Sequence, residues 1–201
     1  MERKNPNREY HSVGSPFFAD KLYGSQMFEE SDYRRLPSSL DTIETDFKNS
    51  TGWVYIKLHG SYGWISCEGE KQLVIGYNKA EQIEHEPLLK FYFQIFKDAI
   101  ETGNKKILII GYSFRDKHVN DILLEGIKSH NLRLFVIQPR PVKEFKEDLC
   151  NQILGTRSLD DGMRLWQAVD GYFPYSFEKL FSNYFDTVEF EEIKTAITKS
   201  L

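Results

Sequence analysis

The chain has 201 residues, enough for one domain or a domain with an appendage, and too few for a multidomain assembly at roughly 150 residues per domain. Its 40% hydrophobic, 14% aromatic and 28% charged residues, with 13 Gly and 7 Pro, exclude the disordered and collagen-like classes. With 26 Lys plus Arg against 30 Asp plus Glu and a net charge of −4, there is no overall basic field for a nucleic-acid backbone or an anionic membrane, and neither partner is expected.

Residues 1–50 read as an irregular N-terminal arm. Asn5, Pro6, Gly14, Pro16, Gly24, Pro37, Ser38 and Ser39 interrupt each apolar cluster before a period is established, leaving short helices near 17–22 and 39–47. Residues 53–58, Trp-Val-Tyr-Ile-Lys-Leu, then predict a strand that ends at His59-Gly60. Residues 62–67 and 72–77 predict a hairpin around 68–71, whose plain role is a flap or edge decoration. Across 87–101, Leu88, Leu89, Tyr92, Phe93, Phe96, Ala99 and Ile100 recur at helical spacing, with Pro87 in the first turn and Gly103 after the end.

Residues 106–110 are continuously apolar after Lys106, the pattern of a strand buried on both faces in a parallel sheet. A loop at 111–117, a helix over 118–129 with Val119, Ile122, Leu123 and Ile127 on one face, and a strand over 132–137 complete a parallel crossover. Pro141 opens a helix with Val142, Phe145, Leu149 and Ile153 inward, and the remainder reads as helical. Ser158 and Asp161 form a capping-box-like start, while Phe177, Leu180, Phe181 and Tyr184 make a stripe best read as core or interface. The division is thus an arm at 1–50, an α/β unit at 51–140 and a helical C-terminal extension at 141–201.

The longest apolar runs, 88–96 and 107–110, fall short of the roughly 18 residues a membrane span needs, and the polar first ten residues carry no secretion signal. The two cysteines, Cys67 and Cys150, supply neither a four-cysteine zinc site nor a disulfide framework, so a reducing, cytoplasmic location is expected. Cys67 falls in an expected strand with no adjacent base, Cys150 at a core position of its helix, and neither resembles an activated thiolate. His85-Glu86-Pro87 reads as a solvated helix start.

Two loops sit where parallel strands are expected to end, the place where α/β sheets collect ligands. In the first, His59 is a candidate general base, with Gly60 allowing close approach of a substrate, though a histidine at a strand end is more often a hydrogen-bonded structural residue. In the second, Gly111-Tyr112-Ser113-Phe114 puts a flexible glycine and a hydroxyl before a helix N-terminus, where amides and dipole favour an anion or a ribose hydroxyl. Ser113 or Asp116 equally serves as a plain helix cap. Asp116, His118 and Asn120 form a weak metal set, because His118 and Asn120 point to different faces, and no metal is expected. If both strands lie in one sheet, both loops open on the same edge. No Gly-rich phosphate loop occurs anywhere.

Taken together, residues 56–64, Ile-Lys-Leu-His-Gly-Ser-Tyr-Gly-Trp, and 109–120, Ile-Ile-Gly-Tyr-Ser-Phe-Arg-Asp-Lys-His-Val-Asn, resemble the SIR2-like family, bacterial relatives of sirtuins found in antiphage defence. The resemblance spans about 53–138. It implies a partial Rossmann-like three-layer α/β domain with a parallel sheet, a small hairpin insertion and a helical tail, binding NAD as substrate and cleaving its nicotinamide–ribose bond. By position, His59 matches the catalytic histidine, and Gly60 and Ser61 belong to its motif. Gly111, Tyr112, Ser113 and Phe114 match the segment cradling ribose and phosphate, Asp116, His118 and Asn120 match the polar turn, and Gln138 matches the adenosine end.

The sirtuin zinc module of two Cys-x-x-Cys pairs is absent, which points away from protein deacylation and toward NAD hydrolysis without zinc. The family's opening strand, Gly-rich loop and Thr-Asn segment do not precede His59, so the resemblance is to the carboxyl-terminal portion. A companion chain, self-association or an upstream segment is expected to complete it. The alternative is a catalytically inactive nucleotide-binding or interaction module.

Overall fold

The computed structural model describes residues 34–41, 43–44, 55–66, 68–151, 158–180 and 187–199. Two compact units divide between Phe96 and Lys97. The expected short helix at 17–22 lies outside the described residues, and the one near 39–47 is represented by helical backbone at Leu40, Asp41, Ile43 and Glu44.

In the first unit, β1 (Arg34–Arg35), β2 (Gly60–Ile65) and β3 (Lys71–Leu73) form a sheet in that order. β1 runs parallel to β2, with Arg34 opposite Trp64, and β3 is antiparallel to it. The expected hairpin is therefore present. Ser66 closes it, its hydroxyl accepting the amides of Glu68 and Glu70 at 3.2 and 3.1 Å.

The expected strand at 53–58 is corrected: residues 55–57 are irregular, Leu58 and His59 form a turn, and 53–54 lie outside the described residues. The Gly60 amide donates to the Lys57 carbonyl at 3.0 Å and Gly60 takes φ 72°, so the chain reverses before the strand begins. Two helices follow, α1 (Lys79–His85) and α2 (Pro87–Glu101). Leu88, Leu89 and Tyr92, all fully buried, face a core with Trp64, Val74 and Ile83. Glu86 is also corrected. It is 5% exposed rather than solvated, and its carboxylate accepts the Leu88 amide at the start of α2 while burial pushes its pKa up.

The second unit is built on three parallel strands in the order β4 (Lys106–Ile110), β5 (Arg133–Ile137), β6 (Val169–Phe173). Helix α3 (Lys117–Ser129) joins β4 to β5, and α4 (Val142–Cys150) and α5 (Leu159–Gln167) join β5 to β6. Two further helices, α6 (Phe177–Leu180) and α7 (Val188–Lys199), end the described chain. Alternation along the strands divides the core into two faces. On one, Phe135, Ile137 and Phe173 pack with Leu180 of α6 and Ile193 of α7. On the other, Tyr172 stacks on Phe145 of α4 at 5.2 Å, with Trp166 of α5 at 6.4 Å. Helix, sheet and helix make three layers, the Rossmann-like α/β arrangement expected from the resemblance.

Three details differ from expectation. Residues 169–173, read as part of a helical extension, form the third parallel strand. β4 is at the sheet edge among the described strands, so Ile109 is buried but Leu108 and Ile110 are each 43% exposed. Val142 and Phe177 face outward, while Ile153, Phe181 and Tyr184 lie outside the described residues. No helix among the described residues is long and apolar enough to cross a membrane.

Candidate functional site

Parallel pairing puts the carboxyl ends of β4, β5 and β6 on one edge of the second unit. Two backbone bonds carry the ladder past the strand ends: the Gly111 amide donates to the Ile137 carbonyl at 2.9 Å, and the Gln138 amide to the Phe173 carbonyl at 3.2 Å. Gly111 and Gln138, far apart in sequence, are thereby held on neighbouring strands at that edge.

Gly111 opens the loop with φ 67°, and nothing lies within 4 Å of where a Cβ would stand. The glycine answers a backbone requirement and leaves open space beside it. Tyr112 is half-buried, Ser113 exposed, Phe114 fully buried and Arg115 exposed. Phe114 takes φ 57°, a left-handed conformation that costs a bulky residue about 1–2 kcal/mol. Its ring packs against Tyr112 at 4.9 Å and Phe145 at 5.4 Å.

Asn120, one turn into α3 and fully buried, donates from Nδ2 to the Phe114 carbonyl at 2.8 Å. Its Oδ1 accepts the Tyr112 hydroxyl at 3.0 Å, and that hydroxyl also reaches the Asp116 carbonyl at 3.2 Å. Burial, with the Asp116 carboxylate behind it, pushes the Tyr112 pKa well up and keeps the phenol a proton donor. Asn120, expected at the ligand, is instead buried inside the loop it supports.

The plain capping role is not filled. Asp116 stands at the N-cap of α3 without a side-chain bond to the helix amides, and the exposed Ser113 hydroxyl has no hydrogen-bond partner among the described residues. His118 is half-buried in the first turn of α3.

Gln138 is 6% exposed and its Nε2 has no hydrogen-bond partner among the described residues. The side chain lies beside the Tyr172 hydroxyl, which donates to the Arg140 carbonyl at 2.8 Å, and Nε2 meets no acceptor at hydrogen-bonding geometry. A buried donor left without an acceptor costs about 1–3 kcal/mol, a debt a ligand acceptor would remove. The Arg140 guanidinium pairs with Asp148, which pushes its pKa further up. Tyr172 and Arg140 were not expected at this edge. Val169, Tyr172 and Phe173, branched and aromatic residues ending at Pro174, are the signal that could have placed a strand there.

The first unit holds the other motif. His59 is half-buried in the turn before β2, and its carbonyl accepts the Val74 amide at 2.9 Å, which ties that turn to the residue following β3. The reading of Gly60 as room for a substrate is corrected on its Cβ side: a Cβ there would stand 2.1 Å from the Gln72 carbonyl oxygen, so the hairpin itself requires the glycine. Ser61 is buried and its hydroxyl accepts Lys57 Nζ at 3.1 Å, the ammonium lying 5.6 Å over the Trp64 ring.

Against this geometry, the sequence model of the SIR2-like domain matches residues 21–158. The chain belongs to the SIR2-like domain family. The match covers both loops of the SIR2-like domain and Gln138, reaches upstream into the N-terminal arm, and stops before β6. No curated protein and no solved structure matches the chain. The family's nucleotide is NAD, and the carboxyl edge fits one: an orphaned buried amide donor at Gln138, an unpartnered hydroxyl at Ser113 and open space at Gly111 suit ring nitrogens, ribose hydroxyls and phosphate oxygens.

Proposed function

We propose that this SIR2-like protein binds NAD and hydrolyses its nicotinamide–ribose bond, in the cytoplasm and in the service of antiphage defence. The observation that carries the nucleotide reading is the buried, partnerless Gln138 Nε2 on the same sheet edge as Gly111 and Ser113. Gln138 takes the adenosine end, and the 111–116 loop with the uncapped start of α3 takes ribose and phosphate.

In this reading His59 is the base. Water adds to the ribose carbon, the carbon–nitrogen bond breaks, its electron pair returns to the pyridinium nitrogen, and neutral nicotinamide leaves. His59 takes the proton lost by the water and passes it to solvent. The chain's contribution is to position the nucleotide and stabilise charge as it develops.

The test is nicotinamide release together with NAD titration. His59→Ala is expected to abolish release while retaining NAD binding, and Gln138→Leu to weaken binding about tenfold, the worth of a lost hydrogen bond to a buried donor. Binding without release in the wild type would favour the inactive nucleotide-binding module. No binding at all would remove the nucleotide reading.

A further inference from the structure

Four described residues other than glycine have positive φ: Asn78, Asn104, Phe114 and Asn131. Asparagine adopts that conformation readily, but a phenylalanine there needs other support. At 114 the support comes from outside the residue. Asn120 holds the Phe114 carbonyl, and the Tyr112 hydroxyl, from two residues before Phe114, meets both Asn120 Oδ1 and the carbonyl of Asp116, two residues after it. The carbonyl of the bend and the Tyr112 hydroxyl thus meet at one buried amide, and the same hydroxyl holds the downstream flank at Asp116.

The bend has a directional result. With Gly111 and Phe114 both left-handed, the Phe114 ring turns inward onto Tyr112 and Phe145, and Ser113 is left exposed two residues past Gly111, whose amide bonds the Ile137 carbonyl. An asparagine or glycine would make the same bend without the strain, but would lack the inward ring that fixes which way Ser113 faces.

We propose that Tyr112 and Asn120 are positioning residues, a latch that holds Phe114 in its left-handed bend and so presents Ser113 to the ligand at the sheet edge. Its ligand arm rests on the nucleotide reading above; its conformational arm does not. Neither residue touches the ligand. Relaxing Phe114 to negative φ would turn the 113–114 peptide and move the Ser113 hydroxyl away from the site.

Tyr112→Phe removes the hydroxyl alone, and Asn120→Asp removes the donor to Phe114 at nearly constant shape. Amide hydrogen exchange read by mass spectrometry should quicken at least tenfold across 112–116 in either variant, with 133–137 unchanged. NAD should bind about tenfold more weakly, KM rising with kcat within about threefold. The double variant should lose little more than either single one, because both act through one bend. Ser113→Ala should weaken NAD without changing exchange.

Unchanged exchange across 112–116 in both variants would overturn the latch. Quickened exchange with undiminished NAD affinity would overturn its link to the ligand. A wild type that binds no NAD sinks the nucleotide reading and the ligand arm with it, while the exchange comparison still decides the latch.

Discussion

At the scale of single residues, the two motif glycines serve different ends. Gly60 is hemmed by the Gln72 carbonyl at 2.1 Å from a would-be Cβ, whereas Gly111 has only its left-handed φ to protect. Gly60→Ala is therefore expected to cost about 3 kcal/mol or more, clash and conformation together, and Gly111→Ala about 1 kcal/mol. Urea unfolding at constant m gives both numbers, and equal losses would contradict the packing argument. The sequence made both glycines, His59 and the 111–120 loop legible as a site, because chemistry-bearing residues cluster where strands end. It did not reveal which of them face inward. Asn120 looks like a ligand-binding amide until the bend at Phe114 is seen, and Glu86 looks solvated until the start of α2 closes over it.

At the scale of elements, legibility follows periodicity. α2 and β4 begin and end where their patterns predict, since fifteen residues of helical spacing and an apolar strand leave little ambiguity. β6 was hidden because Asp170 and Gly171 break its apolar run, each for a tertiary reason. A Cβ at Gly171 would stand 2.8 Å from Phe135 Cδ1 on the neighbouring strand. Asp170 accepts Arg133 Nε at 2.9 Å, tying β6 to β5. That guanidinium is the main reason the Asp170 carboxyl sits below its ordinary value of 3.8. A lowered folded pKa means the pair stabilises above pH 3.8 and that this contribution fades as pH falls through the lower folded value. Asp170→Asn should thus cost about 0.5–1 kcal/mol at neutral pH, given the partial exposure of both groups. The gap between variant and wild type should narrow as pH falls below 3.8, and a gap independent of pH would mean that the ion pair is not its source.

At the scale of the whole molecule, the second unit carries three parallel strands, of which 106–110 and 133–137 are legible in the sequence, while 169–173 takes the place in the count of the strand expected at 53–58. The motifs place the chain in its family, but in the first unit only the hairpin and α2 are legible, because strands as short as Arg34–Arg35 carry no period. The exposed apolar side chains of Leu108 and Ile110 on β4, with Phe177, Val188 and Phe190 on the terminal helices, make self-association or a companion chain the expected state. Light scattering after size exclusion should report a mass above that of one chain that rises with concentration, and a monomer at high concentration would count against it.

The order β4-β5-β6 has a consequence for how the second unit is made. Spatial order repeats chain order, so no strand has to be inserted between two already paired. The sheet can lengthen in one direction as successive crossovers emerge during synthesis, each new strand finding a finished neighbour waiting. Among the described strands of the second unit β4 is laid down first and is still the margin when β6 docks, which makes it the surface longest offered to other nascent chains.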